Sequence, residues 1–118
     1  MTTTAVALAP PEVVSARDEG ALPWVRLDGA PGVRVRTLFE SPTSRSVVLL
    51  LDRGAEVPMH VHPQDDHHAY VLEGRCRFGD RVLDTGSYVH VAAGTPHDLR
   101  GEYPWGTKVL YVIERGPR

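Results

Sequence analysis

Apolar and polar positions in this chain alternate in short runs with a period of two. Val33-Arg-Val-Arg-Thr-Leu-Phe39 puts Val33 and Val35 on one face and Arg34 and Arg36 on the other, the pattern of a half-buried strand. Similar runs, rich in β-branched and aromatic residues, lie at 24–27, 46–52, 57–62, 67–73, 75–78, 81–84, 87–92 and 107–113. Nearly every gap between them carries Gly, Pro, Asp or Ser, and Phe78-Gly-Asp-Arg81 reads as a hairpin turn. Val47-Val-Leu-Leu-Leu51 is apolar on both faces, which predicts a central strand covered on both sides, with a subunit contact able to supply the second cover. There is no sustained 3.6-residue stripe and no internal repeat. Short strands separated by turn signals predict an all-β sandwich or barrel. Residues 1–21, rich in Thr, Ala and Pro and without periodicity, predict a flexible or docking N-terminal arm, and 22–118 a single β domain.

Composition narrows the classes of function. At 118 residues the chain forms one core, not two. Its net charge is −2, with the cations interspersed, so nucleic acid and membrane surfaces are not expected partners. The single cysteine, Cys76, rules out an internal disulfide framework. No apolar run approaches the roughly 18 residues of a membrane helix. The N-terminus lacks a basic region before its short apolar stretch, and a cytoplasmic location is expected.

Chemistry concentrates in the histidines. All six fall between His60 and His97. On an extended strand His60-Val-His62 aims both imidazoles at one face. Neighbouring strands can then bring in further nitrogen donors, the way a β-scaffold builds a transition-metal site. Three assignments compete for the donor after His60 and His62: His67, His68 after a one-residue slip, or Asp66 as a carboxylate. Strand parity separates them, since His67 shares a face with Ala69 and Val71, and His68 with Tyr70 and Leu72. His90 has the opposite parity from Val89 and Val91, which predicts an outward side chain. Cys76 has no basic partner beside it and reads as a small buried hydrophobe.

With these residues in view the chain resembles the cupin superfamily of small β-barrels. The first cupin motif maps onto Gly54, His60, His62, His67 in the usual Glu position, and Gly74, with every spacing kept. The second maps onto Gly86, Ala92 in the Pro position, Gly94, His97, and Gly101 in the Asn position. The phrases Tyr70-Val-Leu-Glu-Gly74 and Val91-Ala-Ala-Gly-Thr-Pro-His97 are also similar to the family, and the match spans roughly residues 24–113. The opening Trp24…Gly32-Val33…Thr37-Leu38 resembles cupins related to the anti-sigma factor ChrR. The resemblance implies a cupin jelly-roll barrel (double-stranded β-helix), a metal site of His60, His62, His67 and His97, and a homodimer.

The histidine in place of Glu changes the charge of that site. Three imidazoles and a carboxylate around M²⁺ leave about +1, and four neutral imidazoles leave about +2, which favours an anionic ligand. Nitrogen donors alone do not separate Fe, Mn, Cu, Ni and Zn. With a redox-active ion the expectation is an oxygenase acting on a small enolisable or phenolic molecule, and all-His cupins that cleave carbon–carbon bonds with O₂ are the precedent by resemblance. With Zn or Ni it is a non-redox isomerase, cyclase or lyase, for which His68, Asp66, Tyr70 and Asp98 are the acid/base candidates. A ligand-binding or sensing domain without turnover is the third reading.

Overall fold

Ten strands run through residues 16–116, the part of the chain that the computed structural model describes. They are β1 (Val25–Arg26), β2 (Val33–Glu40), β3 (Ser44–Leu51), β4 (Glu56–His60), β5 (Asp65–Glu73), β6 (Arg75–Phe78), β7 (Arg81–Asp84), β8 (Tyr88–Val91), β9 (His97–Gly101) and β10 (Thr107–Arg115). One sheet has the order β1-β2-β3-β10-β5-β8 and the other β4-β9-β6-β7, with every pair antiparallel. The inner faces meet in one core, with Val33, Val35, Val47, Leu49, Leu51, Ala69, Val71, Val109 and Tyr111 from the first sheet. Cys76, Phe78 and Leu99 come from the second. This is the expected jelly-roll barrel.

One strand is not anticipated from the pattern. His97-Asp-Leu-Arg-Gly101 alternates in burial, but Leu99 is its one strongly apolar residue, so hydrophobic periodicity is silent there. The segment nonetheless joins β4 to β6 and so completes the second sheet.

The outward face of β3 is covered by the chain itself. Residues Glu19–Ala21 form a 3-10 turn whose N-cap, Asp18, accepts from the Gly20 amide. The Glu19 carboxylate then bridges Arg36 on β2 and Lys108 on β10, the strands flanking β3. Arg36 also donates to the Leu22 carbonyl at 2.8 Å and lies over the Trp24 ring at 3.9 Å. The segment is thus strapped across β3, where Val48, in register with Arg36 and Leu110, is buried. Of the expected N-terminal arm, residues 1–15 lie outside the described residues. No helix among the described residues is long and apolar enough to cross a membrane.

Gly74 links β5 to β6 at φ +87°, and a Cβ there would sit 2.7 Å from the Gly106 carbonyl oxygen. Gly29 has a similar φ of +76° with nothing near its missing Cβ. Gly29→Ala is expected to cost about 1 kcal/mol from the backbone conformation alone. Gly74→Ala adds a backbone clash and is expected to cost at least about 2 kcal/mol more. Urea unfolding of both variants measures the difference, and equal losses would contradict the close approach.

Candidate metal centre

Four imidazoles converge at one end of the barrel, drawn from both sheets. His60 ends β4, His62 follows two residues later, His97 opens β9 and His67 is the third residue of β5. Neighbouring ring centroids are 4.9 Å apart for His60–His62, 4.3 Å for His62–His67, 5.1 Å for His67–His97 and 4.3 Å for His97–His60. The four rings close a circuit.

A bulge aims the first of them. Val57 pairs with Leu99, yet His60 pairs with His97, so three steps along β4 match two along β9. In regular pleating Val57 and His60 would face opposite ways, but both line the interior cavity. The extra residue falls at Pro58-Met59, where Pro58 supplies no amide to the ladder. The smooth strand expected over 57–62 is therefore a bulged strand that stops at His60, with His62 beyond it.

Oxygen acceptors fix the tautomers. His60 Nδ1 lies 2.7 Å from the Pro58 carbonyl and His97 Nδ1 lies 2.9 Å from the Thr95 carbonyl. A carbonyl only accepts, so both Nδ1 atoms carry the proton and both Nε2 atoms present lone pairs. The Tyr111 hydroxyl is 2.6 Å from His67 Nδ1 and 3.3 Å from His97 Nε2. Both contacts are hydrogen bonds when Tyr111 accepts from His67 Nδ1–H and donates to His97 Nε2. His67 Nε2 is then a lone pair, and it is buried with no hydrogen-bond partner. An orphaned buried nitrogen among imidazoles whose Nδ1 atoms are tied back is the arrangement a metal ligand needs.

The histidines His60, His62, His67 and His97, the last two of them buried, could therefore hold a metal ion. Donor atoms of His60, His62 and His97 lie within 4.8 Å of one another, as do those of His62, Asp65 and His67, so His62 belongs to both groups. Asp65 is a residue the pattern of the sequence does not single out. It is buried on the inward face of β5 two residues before His67, and it accepts from the Gly116 amide at 3.3 Å. Its parity with His67 was the available signal.

Above the imidazoles lies a cavity of about 320 Å³. Its wall is mainly Leu27, Val35, Val47, Leu49, Val57, Leu99 and Ile113, with Tyr111 beside the histidines. Arg45 also lines it; its charge hides it in the sequence pattern, although it shares parity with Val47 and Leu49. None of the four acid/base candidates does. Asp66 faces outward, accepting from the Ala93 amide at 2.8 Å and meeting His90 at 3.1 Å. The Ala93 amide, followed by His90, holds its carboxyl below the ordinary range. His68 also faces outward, between the Tyr88 hydroxyl and Glu114, each at 2.6 Å. Tyr70 is exposed, and Asp98 accepts from the Gly79 amide on another side of the barrel wall. Cys76 is fully buried, and its thiol is pushed up to about 12 by desolvation, so it is no nucleophile.

Burial pushes the His67 imidazole down to about 4, helped by its neighbours His62, His97 and His60 and opposed by Asp65. Burial also lowers His97, against its bond to Thr95. An imidazole with a pKa of about 6.5 unfolded and about 4 folded binds its proton more readily in the unfolded chain between those values. Stability of the metal-free protein is thus complete above pH 6.5 and falls as pH drops towards 4, by about 3 kcal/mol from His67. Urea midpoints at pH 7 and 4.5 are expected to move less in His67→Gln than in the wild type. Equal movement would contradict a neutral, buried His67.

Comparisons with known proteins agree with this architecture. The chain shares the fold of a predicted oxalate decarboxylase from Thermotoga maritima, at 18% identity and TM-score 0.77, over 86% of this chain and 99% of that one. The polyketide cyclase RemF from Streptomyces resistomycificus superposes at 21% identity and TM-score 0.75, over 89% and 83%. The anti-sigma factor ChrR of Rhodobacter sphaeroides, solved in complex with SigE, does so at 22% and 0.70, over 83% of this chain and 51% of that one. These three differ in function, so at such identities they speak for the fold alone. No curated protein matches the sequence. The profile of the ChrR cupin-like domain matches residues 13–117, nearly the whole chain, and the protein belongs to that family of cupins.

Proposed function

We propose that this cupin is a metal-dependent oxygenase acting on a small enolisable or phenolic molecule bound as its anion. The observation that carries the proposal is the buried, unpartnered His67 Nε2 facing three other imidazoles at the foot of an apolar cavity. His60, His62, His67 and His97 would hold one divalent transition metal. Bound there, a redox-active ion supplies a Lewis-acid centre for the anion and electrons for O₂.

The chain's own residues do the rest. The Pro58 and Thr95 carbonyls and the Tyr111 hydroxyl keep the imidazoles oriented. The aliphatic wall excludes water and strengthens electrostatic attraction for an anion. A substrate that enters already deprotonated needs no protein base. This favours oxygenation over the isomerase, cyclase or lyase alternative, because His68, Asp66, Tyr70 and Asp98 all lie outside the cavity and the carboxylate on its wall, Asp28, is exposed at the rim.

A second reading has its own observation. Four imidazoles on a four-coordinate ion leave no open position, which suits a binding or sensing domain. Cobalt substitution separates the two, since an open site changes its visible spectrum on adding azide and a closed one does not. The expected homodimer belongs to the proposal as well, with the exposed Tyr70, Leu72 and Tyr88 available on the outer face of the larger sheet, and so does the cytoplasmic location.

Two outcomes are expected. Protein purified without added metal retains an ion measurable by mass spectrometry, and His60→Ala or His97→Ala abolishes retention; unchanged metal content in either variant removes the site. Iron- or copper-loaded protein consumes O₂ with 2,4-pentanedione or catechol as enolate and phenolate probes, and His67→Ala loses that uptake. No uptake with either metal overturns the oxygenase.

A further inference from the structure

We propose that Arg45 is the anchor for a carboxylate on the ligand of this cavity, so that the preferred ligand is an apolar-bodied acid carrying a metal-binding oxygen at its other end. The inference deepens the function proposed above and rests on it for the metal-bound end only.

Three observations converge on Arg45. It sits in one row of the larger sheet with the metal site, since Arg45 pairs with Ile113 on β10 and Ile113 pairs with His67 on β5. Its parity places it on the inward face with Val47 and Leu49, and it lines the same cavity as the four histidines. Its Nε is buried and has no hydrogen-bond partner, although the side chain as a whole is 36% exposed. A guanidinium donor hidden from water and left unmet is costly, and a ligand carboxylate meets it with paired, charge-assisted bonds.

Charge balance points the same way. The carboxylate nearest to Arg45 is Glu40, whose Oε1 lies 3.7 Å from Nε, beyond hydrogen-bond distance. Glu40 is already engaged by Arg115 at 2.9 Å, and Arg115 donates as well to the Ser41 carbonyl. Two guanidinium groups thus share one carboxylate, and Arg45 holds the weaker part of it. The one acidic residue on the cavity wall among the described residues is Asp28, which is exposed at the rim. Apart from Tyr111 beside the histidines the remaining wall is aliphatic, so a ligand between Arg45 and the imidazoles needs an apolar middle. A volume of about 320 Å³ is at the small end for ligand cavities, about 300–1,000 Å³, which limits that middle to a single ring or a short chain.

The test uses the full chain stripped of metal, so that no ion attracts the anion. At pH 7.5 the protein is titrated with 3-phenylpropanoate and with its neutral amide, following the Ile113 methyl resonances by NMR. The acid is expected to bind at least about tenfold more tightly than the amide. Arg45→Met is expected to abolish that preference, and Arg45→Lys to keep part of it. Dispersed amide spectra show that each variant is folded. Equal binding of acid and amide, a preference that survives in Arg45→Met, or no shift at Ile113 with either probe overturns the anchor. Metal content of Arg45→Met, expected to equal that of the wild type, reports separately on the histidine site: loss of metal in the histidine variants alone leaves that site standing whether or not the anchor fails.

Discussion

The site depends on imidazoles kept neutral, oriented and dry inside an apolar barrel. Burying a polar ring is favourable only if its donor finds a partner. Here the Nδ1 protons of His60 and His97 go to backbone carbonyls two residues earlier, and His67 leans on Tyr111. Carbonyls of the same local turn need no distant partner, so two of these orientations are settled within a few residues of sequence. The third crosses to the neighbouring strand β10, where Tyr111 lies 44 residues from His67 along the chain. Desolvation that would expel a charged imidazole thus selects the neutral form, which is the form that can donate a lone pair.

Strand β5 shows how a period of two separates chemistries. Asp65, His67, Ala69 and Val71 face the core, and Asp66, His68 and Tyr70 face away from it. On the outer side Asp66 and His90 pair, and His68 stacks on His90 with a centroid separation of 4.9 Å while bonding Tyr88 and Glu114. These polar contacts tie β5 to β8 and β10 and stand apart from the cavity. Adjacent histidines in sequence therefore carry unrelated duties.

Much of this is legible in the sequence. The alternating runs named nine of the ten strands, and motif spacing with parity put His60, His62, His67 and His97 inward and His90 outward. Strand β9 escaped because its inward residues are His97, Leu99 and Gly101, too polar or too small for a hydrophobic signal. The bulge escaped because periodicity assumes an unbroken register, although Pro58 inside the run marks the break. Arg45 and Asp65 escaped for a different reason: a charged residue at an inward position reads as a strand end until the cavity behind it is known. The outward cover on β3 came from the chain's own Glu19–Trp24 region, at the end of the expected arm and the start of the β domain.

The bulge at Pro58-Met59 carries a consequence for how such a site changes over evolutionary time. Were the bulge flattened at constant length, as a residue able to pair at position 58 would permit, three regular steps from Val57 would turn His60 outward, with every ligand still present in the sequence. An alignment that counts histidines would score that descendant as metal-binding. Kinship in ligand identity is then a poorer guide to retained chemistry than the residue that breaks the pairing between Val57 and His60. A single substitution at Pro58 could thus silence the centre while leaving the barrel's core residues untouched.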